Sequence, residues 1–380
     1  MLANEKIKVL QDLIQINSVN GNEDKVAHYL QSLLQSHGIA TRVDEFGDHR
    51  ANLIAEIGQG TDSRVLGLTG HQDTVATSNL DAWQYPPFSG TVVGDRIYGR
   101  GSTDMKSGLA AQALALIELA ESNELPRGRV RFIATAGEEL GTLGANRLEK
   151  QGIAKDLSAL IVGEPTGGNV VFAHSGSINY QVTSTGKTCH SSNPSQGINA
   201  IQGLIKFVEE EAHLFDDGTD DPYLGKVQHS ITVFNGGDQV NMIPNSATLE
   251  GNIRPTAAFN NDQIIARLEA ALDYLNATTP YQLELNIFHN FRPIATAPDD
   301  RFVEIAFNSS QANAPQDVKK SIINGATDAS IFTLHRPDLP VVILGCDAWN
   351  RAHKINEYTT VSSYLATIDT YKQIAQNYFA

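Results

Sequence analysis

Cysteine is nearly missing from this 380-residue chain: Cys189 and Cys346 are the only two, so no disulfide framework holds the fold. Both read as small buried residues. Long apolar runs are missing as well, and no stretch reaches the roughly 20 residues that a membrane-spanning helix needs. The opening "MLANEKIKVLQDLIQINSVNGNEDKVAHYL" has no apolar signal core and instead spaces Leu and Ile as a helix does. Basic residues are the minority, 28 Lys and Arg against 43 Asp and Glu, for a net charge of -15. That balance argues against nucleic acid or an anionic membrane as a partner, since either favours a basic patch. Internal repeats and low-complexity linkers are also absent. What remains is the composition of a soluble globular protein, 41% hydrophobic and 19% charged, expected in the cytoplasm.

The length exceeds one ordinary domain, and two are expected. Helical spacing predicts amphipathic helices around residues 3–16 and 22–37, separated by the turn "NSVNGNE". Strands then alternate with helices: "RANLIAEIG", "RVLGLTG", a helix within "MKSGLAAQALALIELAES", "RVRFIATA" and "LSALIVG". This alternation predicts an α/β layer, a largely parallel central sheet with helices on its faces. After about residue 175 the texture changes. Strand "SINYQVTSTG", helix "INAIQGLIKFVEEEAHLF", strands "HSITVFNGG" and "SATLEGNIRP", helix "NDQIIARLEAALDYL" and strand "YQLELNIF" follow in turn. That β-α-β-β-α-β order is the ferredoxin-like plan. From about residue 291 the α/β texture returns, with strand "PVVILGC" and a closing helix in "TTVSSYLATIDTYKQIAQ". The expected organisation is a first domain in two parts, 1–175 and 291–380, interrupted by an inserted domain over 176–290.

Acidic and imidazole residues gather just past the apolar runs. "VLGLTGHQDTV" delivers His71 and Asp73, "RVRFIATAGEEL" delivers Glu138 and Glu139, and "LSALIVGEPT" ends on Glu164. "GRGSTDMKSG" carries Asp104, and "RAHKINEY" carries His353. Side chains just beyond the carboxyl ends of parallel strands converge on one crevice. Taken singly each is weak evidence: a Glu-Glu pair is usually a solvated helix start, and Asp104 could be no more than a helix cap. Together they form the ligand set of a hydrolytic metal site, with zinc first. Five ligands suit two ions better than one, with Asp104 bridging and two further ligands for each. Glu138 is then free as general base beside Glu139. Asp73 is expected to hydrogen-bond the ring of His71 and so fix its tautomer.

The strings "GHQDTV", "W…PPFSG", "YGRGSTDMKSGLAA", "GEELGTLGA" and "GEPTG" resemble the zinc-dependent deacylases and exopeptidases. That family includes succinyl-diaminopimelate desuccinylase, acetylornithine deacetylase, aminoacylase and the glutamate-releasing carboxypeptidases. The likeness runs over essentially the whole chain, including the inserted domain. It implies two zinc ions (cobalt or manganese can substitute), one on His71 and Glu164, the other on Glu139 and His353, with Asp104 between them. It makes Asp73 and Glu138 the catalytic carboxylates and implies a cis peptide after Asp104. "TGKTCHSSNPSQGINAI" resembles the family's lid, in which His190 supports the oxyanion of a partner subunit's site. By the same likeness Asn241 and Arg254 grip a substrate carboxylate, and Gly325 and Thr327 of "NGATDASIF" belong to a substrate loop. The implied protein is a homodimeric amidohydrolase acting on an N-acyl amino acid, succinyl-diaminopimelate first and acetylornithine second. An aminoacylase or dipeptidase is the next reading, and a catalytically silent binding protein is the reading from another class. Lysine biosynthesis is the setting the first substrate implies.

Overall fold

Three runs that are apolar almost without a break form the centre of the main sheet in the computed structural model, which describes residues 1–122 and 125–380. Val65–His71, Arg129–Thr135 and Ala159–Val162 are buried along nearly their whole length, as strands covered on both faces must be. The chain forms two compact units. The first comprises Met1–Ala173, Ala295–Ser321 and Thr327–Ala380, and the second His174–Ile294 with Ile322–Ala326.

Across the nine-stranded sheet the order starts Thr41–Phe46, Arg50–Gly58, Arg129–Thr135, Val65–His71, Ala159–Val162, Val341–Ile343 and reaches Val170–His174. The strand Val65–His71 runs parallel to both neighbours, and Val341–Ile343 runs parallel to Ala159–Val162. The margins are antiparallel. The register sets His71 opposite Thr135 and Thr69 opposite Val162, so three parallel strands end at one level. Helix Lys106–Glu121 is buried on almost every side, which its Ala- and Leu-rich sequence permits. At Gly108 the fit is closest: a Cβ there would stand 1.9 Å from the carbonyl oxygen of Gly163. Only glycine allows that approach, and it seats the helix start against the residue before Glu164.

The second unit carries a four-stranded antiparallel sheet in the order Gln228–Gly236, Ser246–Arg254, Ser177–Thr185, Gln282–Phe291. Helices Ala200–Glu211 and Asn261–Thr278 cover one face around Tyr180, Val182, Phe207, Leu249 and Leu268. Period-two burial along Ser177–Thr185 and Ser246–Arg254 matches a sheet with one dry face. Asn199 and Asn260 cap the two helices by accepting backbone N–H groups of Ile201 and Gln263. This is the ferredoxin-like order. The units differ from the sequence reading in three places: residues 174–175, 291–294 and 322–326, all expected in the first domain, belong to the second unit. There the N–H of Ser175 donates to the carbonyl of Ile323 at 3.3 Å.

Candidate metal centre

His71 is the last residue of its strand, and Asp73, Glu138, Glu139 and Glu164 follow the ends of the three parallel strands. Asp104 enters from the loop before helix Lys106–Glu121, at a cis peptide to Met105, as the resemblance implied. His353 arrives from the far end of the chain, on the loop before strand Tyr358–Thr360, with φ 61°. His71, Asp104 and Glu139 offer ligand atoms that all lie within 4.8 Å of one another.

Asp104 is the middle of the arrangement. Its Oδ1 stands 3.0 Å from His71 Nε2, and its Oδ2 stands 3.2 Å from His353 Nε2. His71 Nε2 is 3.6 Å from Glu164 Oε1, and His353 Nε2 is 2.9 Å from Glu139 Oε1. Two clusters therefore share one carboxylate: His71, Asp104 and Glu164 on one side, His353, Asp104 and Glu139 on the other. His71, Asp104 and Glu164 are buried, whereas the side chain of His353 is half-exposed.

The donor chemistry fits divalent metal. His71 Nδ1 faces the carbonyl oxygen of Asp73 at 3.0 Å, and a carbonyl can only accept. The ring's proton therefore sits on Nδ1 in its neutral form, leaving the Nε2 lone pair aimed at the carboxylates. Glu164 Oε2 is buried without a hydrogen-bond partner among the described residues. Among these residues, Asp104, Glu139 and Glu164 have ion pairs only with the two imidazoles. Burial pushes the carboxyls of Glu138 and Glu164 well above the usual range. For Asp104 burial also pushes upward, but hydrogen bonds from His353 and His71 outweigh it and hold the carboxyl below its usual range. Hydrogen bonding to Asp104 and Glu139 raises His353 to about 10. Buried carboxylates in such excess are costly without a cation among them.

Asp73 does hydrogen-bond the ring of His71, but through its backbone rather than its carboxylate. The ring of His71 takes the backbone carbonyl of Asp73, while the Asp73 carboxylate lies 3.6 Å away. That carboxylate is occupied elsewhere: it accepts the N–H of Glu138 at 3.1 Å and of Glu139 at 3.1 Å. Asp73 thus holds the Glu-Glu turn, and its side chain serves His71 only through electrostatics.

The other named residues divide between the units. Thr327, in the first, is buried and its Oγ1 accepts the N–H of Ala329 at 3.2 Å. His190, Asn241, Arg254 and Gly325 lie in the second. The Ser192 N–H donates to His190 Nδ1 at 3.2 Å, so the exposed ring carries its neutral-state proton on Nε2. Asn241 is exposed, and its carbonyl accepts the N–H of Ser191 at 2.9 Å. Arg254, at the end of its strand, forms no ion pair with any described residue, and burial lowers its pKa.

Sequence reasoning passed over Asp328. Its Oδ2 accepts the Thr135 hydroxyl at 2.5 Å, and burial raises it to about 6. Its only signal was adjacency to Thr327. It also passed over Arg100 and Glu357, which lie four residues from Asp104 and His353 respectively.

The description "Peptidase family M20/M25/M40" matches residues 67–377. A relative from Staphylococcus aureus strain MRSA252, described as "Probable succinyl-diaminopimelate desuccinylase", is 36% identical over 401 residues, covering 98% of this chain and 97% of its own. A succinyl-diaminopimelate desuccinylase from Wolbachia pipientis wMel is 27% identical, covering 99% and 94%. In fold the chain is similar to a dinuclear metal-binding peptidase of the M20 family from Bacillus subtilis, with TM-score 0.74, 17% identity and coverage of 99% and 98%. The predicted class of fold and of reaction is borne out: this chain belongs to the M20/M25/M40 peptidase family and is a hydrolase of amide bonds.

Proposed function

We propose that the chain is a dinuclear zinc amidohydrolase that removes the acyl group from an N-acyl amino acid, succinyl-diaminopimelate first. The observation that carries this reading is Asp104, which turns one carboxylate oxygen to each of two imidazoles, each with its own glutamate. In the proposed centre His71, Asp104 and Glu164 hold one ion, and Asp104, Glu139 and His353 hold the other. Ions held there would supply Lewis-acid chemistry, polarising an acyl carbonyl and making a bound water more acidic. Glu138 takes one proton from the attacking water as the new C–O bond forms. It delivers that proton to the amide nitrogen as the C–N bond breaks, giving a carboxylic acid and an amine; the acid then gives up its remaining proton, which the amine takes up, so the products leave as carboxylate and ammonium. The burial that raises its carboxyl strengthens it as a base. Asp73 keeps Glu138 and Glu139 in place through their backbone N–H groups.

In the same reading His190 donates Nε2–H to the developing oxyanion from a partner copy, which makes the working form a homodimer through the second unit. Arg254 and Asn241 hold the substrate's own carboxylate, a task suited to an arginine fork that is half-buried and forms no ion pair with any described residue. Gly325 and Thr327 stay assigned to the substrate loop. The desuccinylase descriptions of relatives at 36% and 27% identity favour a succinyl substrate over acetylornithine or a dipeptide. A cytoplasmic place in lysine biosynthesis follows from that substrate. The test is hydrolysis by zinc-loaded protein of succinyl-diaminopimelate, acetylornithine, other acyl-amino acids and simple dipeptides. The reading predicts fastest, chelator-sensitive release of succinate. Cleavage of dipeptides alone would overturn the substrate, and no cleavage of any member would overturn the activity.

A further inference from the structure

Behind the proposed centre lies a buried ion pair that the chemistry above does not use. Arg100 and Glu357 are 2% and 1% exposed, and their Nη1 and Oε2 atoms meet at 2.5 Å. The residues are 257 positions apart in the chain. Glu357 spends its other carboxylate oxygen, and Arg100 its two terminal nitrogens, on backbone N–H groups and carbonyls of the segments that carry Asp104 and His353 and of Ala76, while Arg100 Nε is buried without a hydrogen-bond partner among the described residues. Glu357 Oε1 accepts the N–H of Thr103 at 2.8 Å and of Asp104 itself at 3.1 Å. Arg100 Nη1 donates to the carbonyl of Lys354 at 3.3 Å. Its Nη2 donates to the carbonyls of Ala76 at 3.1 Å and His353 at 3.5 Å. The face of Trp83 lies 5.4 Å from the guanidinium carbon. Around the pair, Gly99 N–H donates to the Glu357 carbonyl at 2.9 Å and Thr103 Oγ1 donates to the Tyr358 carbonyl at 2.7 Å.

We infer that Arg100 and Glu357 are a positioning pair that sets His353 against Asp104 and so builds the second of the two metal positions. The two positions are not supported alike. His71 ends a strand with ladder partners on both sides, and Glu164 follows a strand by two residues. His353 sits on a loop at positive φ, half-exposed, with no ladder of its own. The segment bearing it is tied to the Asp104 loop through the guanidinium fork on one side and the Glu357 carboxylate on the other. Lysine would keep the charge opposite Glu357 but is a single point that cannot span the carbonyls of Ala76, His353 and Lys354 together. The inference rests on the two-ion reading, and its test separates the two.

The experiment is titration of the metal-free full chain with cobalt(II), following the visible absorption of the bound ion, for wild type, Arg100→Lys and the pair Arg100→Met with Glu357→Gln. The double variant removes both buried charges together, which folds tolerate better than one charge left alone. Wild type is expected to bind two ions. In both variants the tighter ion keeps its affinity, while the second weakens by about 10- to 100-fold, the usual cost of losing a group that orients a ligand. A role in stability alone would lower the melting temperature and leave the two affinities in their wild-type ratio, and that result overturns the inference. Wild type binding fewer than two ions would overturn the two-ion reading itself, and the inference with it. Equal weakening of both ions would also overturn it, since the pair would then act on Asp104 alone.

Discussion

Gly108→Ala puts two opposing effects in direct competition. In an ordinary helix the change stabilises, by about 1 kcal/mol in intrinsic propensity. Here the added Cβ would stand 1.9 Å from the Gly163 carbonyl oxygen and 2.9 Å from its carbonyl carbon. Comfortable contact needs about 3.5 Å, so helix and strand end must part by roughly 1.5 Å. Both neighbours are backbone, and no side chain can rotate out of the way. Overpacking of this kind costs about 1–3 kcal/mol, and rigid surroundings place it at the upper end. The net expectation is a loss of about 2 kcal/mol after the propensity gain, read as a fall of several degrees in the melting temperature of metal-free protein by calorimetry. The same wedge acts between Gly163, one residue before Glu164, and the helix that starts two residues after Asp104. Metal sites tolerate about 0.2 Å of error, so the affinity for the ion proposed at His71 and Glu164 should fall as well. An unchanged or higher melting temperature with unchanged zinc affinity would refute the claim that this glycine contact positions the site.

Other expectations concern single side chains. Glu138→Gln should keep both ions and lose about 10²–10⁴ in kcat, the usual worth of a general base; retention of wild-type turnover removes Glu138 from that role. Arg254→Ala should raise KM with little change in kcat if its contact is equal in ground and transition states, and an unchanged KM would take the substrate carboxylate away from it. Within electrostatic reach of Asp73, burial lifts Glu23 to about 7 despite Arg50 at 2.8 Å. An acid whose folded pKa is raised loses stability as pH climbs from its unfolded value toward the folded one. Glu23→Gln should therefore be more stable than wild type at pH 8, by up to about 3 kcal/mol for a shift of this size, with the gain vanishing toward pH 4. Denaturant melts across that range decide it, and a pH-independent difference would contradict the burial argument.

Legibility followed how locally each feature is encoded. The central strands were readable because strands dry on both faces are rich in apolar residues without strict alternation, and the candidate ligands were readable because they lie at or just past the ends of those runs. The strand Thr41–Phe46 was not readable. Its one buried residue is Asp44, held by Arg147 and Gln151, so it shows no apolar alternation at all. Sequence spacing puts Asp73 near His71, and its backbone carbonyl does meet that ring, but nothing in the spacing shows that its carboxylate is taken by amides 65 and 66 residues later. Arg100 and Glu357 escaped notice for a related reason: each is an ordinary charged residue until the fold buries one against the other. Asp328 differs only in reaching Thr135, 193 residues away, through a single hydroxyl. Composition and periodicity carry no record of such pairings.

Anomalous scattering at the zinc edge from crystals of the zinc-loaded protein tests the central claim most directly. Two peaks are predicted, one bounded by His71, Asp104 and Glu164, the other by His353, Asp104 and Glu139, with Asp104 touching both. A single peak, or two peaks that do not share Asp104, would contradict the dinuclear centre on which the proposed chemistry stands.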